Sequence, residues 1–186
     1  MEIGMSAEVV VRFCAPTMAG LKVANLFTHK YASKEELEHH IAYYNQLLNA
    51  KGLYFEVLRY ENGLALIYVY RKRKLREILK NREAREILLQ YGYDEYEIEA
   101  TLMVLKEHLQ QSEFPHEIGV FLGYPLADVK AFIRNNGRGH KCIGCWKVYT
   151  NVEEAKATFG KYDKCYKIYQ EQLDQGTELT KLTVLG

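Results

Sequence analysis

Leu53-Tyr-Phe-Glu-Val-Leu-Arg-Tyr60-Glu61-Asn62-Gly63-Leu64-Ala-Leu-Ile-Tyr-Val-Tyr70 is the stretch whose reading decides the architecture. Residues 53–60 and 64–70 are rich in Leu, Val, Ile and Tyr, side chains that suit a pleated, packed surface. Glu61-Asn62-Gly63 between them supplies residues that accept positive φ, so the two runs read as an antiparallel hairpin. The second run is apolar throughout, which makes it a central strand.

Helical patterns surround this hairpin. Ser33 and Glu36 form a capping box ahead of Leu37, Ile41, Tyr44 and Leu48, and Gly52 ends that run. Residues 75–91 are helical, split at Asn81, which caps a second piece before Gly92. Asp94 and Glu97 open a helix to about Gln111 through Ile98, Leu102, Leu105 and Leu109. Pro115 starts a short helix ending at Gly123, and Pro125 starts the next, to about Asn135. Trp146–Tyr149 reads as a short strand. Asn151 and Glu154 cap a final helix with the stripe Ala155, Phe159, Tyr162, Tyr166, Tyr169 and Leu173, closed by Gly176. Near the N-terminus the reading stays open: residues 8–13 fit a strand, or a helix capped by Ser6, with Pro16 interrupting either. Residues 17–27 are loosely helical. The expectation is an α+β fold in a single domain, 1–186. A small, mainly antiparallel sheet, with the hairpin at about 53–70 and a short strand at about 146–149, is covered by several helices.

The chain has 186 residues, with 25 Lys+Arg against 24 Asp+Glu, and is 48% hydrophobic. These values exclude collagen-like, disordered and coiled-coil classes. No apolar run approaches the ~18 residues of a membrane span. Met1–Ala15 carries Glu2, Glu8 and Arg12 and lacks a signal-peptide block, so the expected location is the cytoplasm, away from membranes. Near-zero net charge argues against a dedicated nucleic-acid binder.

The chemistry-bearing residues begin with four cysteines, Cys14, Cys142, Cys145 and Cys165. Four is too few for a secreted disulfide scaffold of this size, so free thiols, metal ligands or redox centres are expected. Cys142-Ile-Gly-Cys145 has the spacing that points two thiolates at one ion from a tight turn, or lets them oxidise together, and Gly144 permits the turn. Cys14-Ala-Pro-Thr-Met-Ala-Gly-Leu-Lys22 places a thiol just before a Pro-started helix. The helix N-terminus and Lys22 would favour its thiolate, and the same amides with Lys22 would suit an anion.

Residues 114–135, Phe-Pro-His-Glu through Arg134, fit two helices about the turn Gly123, the pattern of a helix-turn-helix. Lys130, Arg134 and Arg138 are placed as phosphate contacts would be, while Asp128 on the would-be reading helix opposes that use. His116-Glu117 within the stretch reads as an acid–base or ligand pair. Residues 71–85 hold eight Lys/Arg against two Glu, an excess of six positive charges. Such a patch suits an acidic protein or an anionic ligand, or is simply a solvated helix face.

Five pieces together carry a resemblance. They are residues 14–22 with Ala-Asn-Leu-Phe (24–27), Leu-Ile-Tyr-Val-Tyr-Arg (66–71), Phe-Pro-His-Glu-Ile-Gly-Val-Phe-Leu-Gly-Tyr-Pro (114–125), Lys-Cys-Ile-Gly-Cys-Trp-Lys-Val-Tyr (141–149) and Lys-Cys (164–165). The chain resembles, over nearly its whole length, a bacterial family common in clostridia and related anaerobes, domain of unknown function 3793. The resemblance brings no activity, substrate or catalytic residue. It implies an anaerobic, cytosolic setting in which thiolate and iron chemistry is unsurprising. The leading expectation is a cysteine-centred site in which Cys14, Cys142, Cys145 and Cys165, with His116, bind zinc or iron or perform thiol redox work. The alternatives are a DNA- or protein-binding module at 114–135 with the 71–85 patch, and an enzyme with Cys14 as nucleophile and His116 as base, beside Glu117 and Lys22.

Overall fold

The computed structural model describes residues 4–111 and 114–186. In chain order these form α1 (Ala7–Met18), β1 (Ala24–Lys30), α2 (Lys34–Leu48), β2 (Leu53–Glu61), β3 (Leu64–Arg71), α3 (Lys72–Lys80), α4 (Arg82–Leu89), α5 (Ile98–His108), α6 (Ile118–Phe121), α7 (Leu126–Arg134), β4 (Cys142–Ile143), β5 (Lys147–Val148), α8 (Val152–Asp174) and α9 (Leu179–Leu182). The fold is α+β, as the hairpin reading requires. Contacts gather the chain into two compact units: Met1–Lys74 with Cys165–Gly186, and Leu75–Lys164.

In the first unit, Asn62 and Gly63 take positive φ of 49° and 75° and close the hairpin. That backbone twist matches the twist of the two strands it joins. The sheet order is β1-β3-β2, all antiparallel, so the apolar run is the central strand. Alternation sends Phe27, Phe55, Ala65, Ile67 and Val69 into one core with Val10, Val11, Cys14 and Met18 of α1 and Leu37, Tyr44 and Leu48 of α2. Ser33 accepts from the Glu36 amide at 3.0 Å and starts α2 as its sequence requires.

Of the two readings left open over residues 8–13, the helix that follows Ser6 is the one that forms; the expected interruption at Pro16 needs correction, since α1 continues through it to Met18. The helix expected over 17–27 does not form; residues 24–30 are strand β1. Leu21, counted there as an apolar helix position, is half exposed, whereas Phe27 pairs with Ile67 and enters the core. Pairing with the central strand overrides a weak local pattern.

The consequence for the 14–22 motif is large, because it ends a helix rather than starting one. Carbonyls, not amides, stand free there. Arg71, 1% exposed, meets them: Nε donates to Thr17 O at 2.7 Å and Nη2 to Met18 O. Its Nη1 donates to Lys51 O at 2.9 Å and Val184 O at 2.7 Å. A guanidinium suits the negative end of a helix and satisfies four carbonyls at once. This first member of the basic patch is therefore a buried clamp.

In the second unit, Asn81 accepts from the Ala84 amide at 3.1 Å and separates α3 from α4 at the position expected. α5 ends at His108 and α6 is one four-residue turn, both shorter than expected. β4 and β5 form a two-stranded hairpin, and the Asn151–Glu154 cap opens α8. Among the described residues no helix is long and apolar enough to cross a membrane.

Candidate functional site

The thiols separate by environment. Cys14 is fully buried in α1, and Cys165 is buried in the same apolar core. Burial pushes the Cys14 thiol far above its ordinary range, and the charge of Lys22 offsets only part of this. Burial raises Cys165 to about 11. Both are neutral core thiols at neutral pH, so the expected activation of Cys14 by a helix N-terminus is overturned. Lys22, itself buried, follows a helix C-terminus where its amide and that of Leu21 donate to Pro16 O, at 3.1 and 2.9 Å. Cys142 on β4 is half-buried and Cys145 is exposed. Among the described residues no group of three or more His, Cys, Asp or Glu side chains is placed to hold a metal ion. Gly144 serves close approach, since a methyl there would overlap the Phe159 ring.

A different constellation assembles in the second unit. Glu117 is 1% exposed, and its partner is not the adjacent His116 but His108, the last residue of α5. His108 Nδ1 lies 2.7 Å from Glu117 Oε1, and the Tyr93 hydroxyl donates to the same oxygen at 3.0 Å. The 3.3 Å between Tyr93 Oη and His108 Nδ1 closes the triangle. Burial, then the neighbouring Glu117, raises the Tyr93 phenol well above its ordinary value, so it stays a donor. With both Tyr93 and Nδ1–H donating to one carboxylate oxygen, a neutral His108 carries its lone pair on Nε2. Glu117 Oε2 is buried with no hydrogen-bond partner among the described residues.

Three concavities meet at His116. A cleft of about 340 Å³ is lined by Tyr91, His108, Phe114, His116 and Glu117. A second hollow of about 440 Å³ runs past Phe114, His116, Phe132 and Arg138. The third is a slot of about 150 Å³ walled by His116, Tyr124, Val129, Phe132, Trp146 and Lys147. His116 stands edge-on to Phe132, centroids 5.3 Å apart, and Trp146 packs against Tyr124 at 5.3 Å.

Asp128 holds the slot together. Its Oδ2 accepts from Trp146 Nε1 at 2.8 Å. Its Oδ1 accepts from the Tyr149 and Thr150 amides, each at 2.9 Å, and from the Thr150 hydroxyl at 2.8 Å. Burial by itself raises this carboxyl, but the hydrogen bonds together outweigh it and leave the pKa lowered. Asp128 therefore turns inward, away from any groove-reading face of α7. Of the other patch residues, Arg82 pairs with Glu86 at 3.0 Å, and Arg85 donates to Leu79 O at 2.7 Å with its guanidinium over Tyr96.

Sequence reading found Glu117 and His116 but missed His108, Tyr93, Trp146 and Asp128. His108 and Glu117 are nine positions apart, a separation that no helical or strand period would pair. Tertiary structure alone brings the two side chains together.

The model of the family described as protein of unknown function (DUF3793) matches residues 10–183 of the 186, and the chain belongs to that family. No curated protein and no solved structure matches the chain.

Proposed function

In this member of the DUF3793 family, we propose that the second unit carries a small-molecule site in which His108 exchanges a proton with its ligand. One observation carries the reading: a carboxylate sealed from water orients an imidazole through Nδ1 at 2.7 Å, on the wall of a cleft. Such a carboxylate fixes the tautomer and stabilises the imidazolium formed when Nε2 takes a proton. Glu117 and Tyr93 position the ring; His108 is the group that meets the ligand. Ring ¹⁵N shifts of neutral His108 test this. The expected result is protonated Nδ1 and unprotonated Nε2, with the preference lost in Glu117→Ala. Protonated Nε2 in the unsubstituted protein would overturn the reading.

A second reading retains thiol chemistry at Cys142 and Cys145, favoured by the exposure of the pair's second member. These two are the thiols through which zinc or iron binding, or disulfide formation, would proceed. Stoichiometric zinc or iron after anaerobic purification, lost in Cys142→Ser, supports the metal form. Reversible loss of two titratable thiols under mild oxidation supports the redox form.

A further inference from the structure

The slot beside the His108 cleft indicates what kind of molecule fits. Four rings line it, those of His116, Tyr124, Phe132 and Trp146, together with the aliphatic side chains of Ile118 and Val129. Most of its polar groups are committed within the protein: Trp146 Nε1 and both Asp128 oxygens to one another and to Tyr149 and Thr150, and Lys147 Nζ to Gly137 O at 2.9 Å, while His116 and Tyr124 add an imidazole and a hydroxyl to the lining. A guest in the slot therefore gains from dispersion and ring contacts, with little hydrogen bonding on offer. Its volume, about 150 Å³, is that of a hole which accepts one benzene-sized ring. His116 lines both the slot and the cleft, so a ring in the first has the second as its neighbour across that side chain.

We propose that the site takes a small molecule built on one flat aromatic ring. The ring seats in the slot, and a substituent bearing an exchangeable proton lies on the cleft side, toward His108. The substituent rests on the acid–base reading above; the ring does not.

The chain has one tryptophan, so the indole N–H of Trp146 is a single signal in a ¹⁵N–¹H spectrum and reports on the slot directly. Titrations use toluene, phenol, cyclohexanol and 2-naphthol. Toluene and phenol are expected to move the signal saturably. Cyclohexanol, puckered and without a π face, should bind about fivefold or more weakly than phenol. The two-ring 2-naphthol should be excluded from the unsubstituted protein and admitted by Phe132→Ala. No saturable shift with either toluene or phenol, or equal binding of cyclohexanol and phenol, would overturn the ring. Should Phe132→Ala not fold, the size series on the unsubstituted protein decides by itself. Phenol should bind more tightly than toluene, with the advantage erased in His108→Ala. Toluene binding without that advantage would leave the ring standing and overturn both the substituent and the acid–base reading.

Discussion

Arg71 and Asp128 show how single residues here do several tasks at once. Arg71 closes the end of α1 and ties Lys51 and Val184 to it by four backbone carbonyls. Arg71→Ala removes a charged donor from each carbonyl, leaving Thr17 O, Met18 O and Lys51 O only the amides of Gly20, Val184 and Gly186, and should cost about 3 kcal/mol or more in a denaturant titration. Arg71→Lys should recover little, because an ammonium has three donors on one atom and cannot span the same arc. Asp128 receives four donors from three residues. Asp128→Asn turns an amide NH₂ toward donors, and should cost about 2 kcal/mol while perturbing the Trp146 indole signal. Because the folded pKa of Asp128 is lowered, its contribution is present above the ordinary carboxylate range and is lost as pH falls through the folded value. The stabilities of the unsubstituted protein and Asp128→Asn should therefore converge in acid; a constant gap down to pH 2 would contradict the assignment.

Among the elements, the short strand within Trp146–Tyr149 was legible, whereas its partner β4 and the purpose of the hairpin they form were not. Cys-x-x-Cys draws attention to the thiols, yet Gly144 and Trp146 within the same hairpin pack on Phe159, the Trp146 centroid lying 4.6 Å away. Gly144→Ala should displace that ring and destabilise the protein by about 1–3 kcal/mol, the usual cost of overpacking. The cysteines should sort by element as well. Cys142 and Cys145 react with a thiol reagent in the native protein, whereas Cys14 in α1 and Cys165 in α8 react only after denaturation. Four fast-reacting thiols in the native protein would contradict this. α1 shows the opposite failure of legibility. Pro16 looked like a helix breaker or starter, but it lies inside the helix, near its end. The helical reading of 17–27 was overturned by β3, whose Ile67, forty positions on, pairs with Phe27 on the strand's otherwise open edge.

At the scale of the molecule, tyrosine sets the alkaline limit. The chain has 15 tyrosines, and burial pushes Tyr44 and Tyr162 up to about 12 from an ordinary value of about 10. A group whose folded pKa is raised contributes stability that is whole below the unfolded value and is lost as pH rises toward the folded one. Stability should therefore fall between about pH 10 and pH 12, with the share of tyrosinate absorbance owed to these buried phenols appearing only as the protein unfolds. The full tyrosinate absorbance of the unfolded chain, reached without loss of structure, would show these phenols to be accessible.

What the sequence determined by itself is local: strands with their turn at Asn62-Gly63, helices with their caps at Ser33, Asn81 and Asn151, and the α+β class that follows. These depend on neighbours a few residues apart, and side-chain periodicity and capping chemistry record them. Tertiary structure alone decided which charged and polar groups meet. Arg71 finds carbonyls from three separate segments, Glu117 chooses His108 over the adjacent His116, and Asp128 gathers Trp146, Tyr149 and Thr150. A buried polar group must be paired with whatever the fold brings to it. Its partner is therefore a property of chain reversal and packing, which no short-range period encodes.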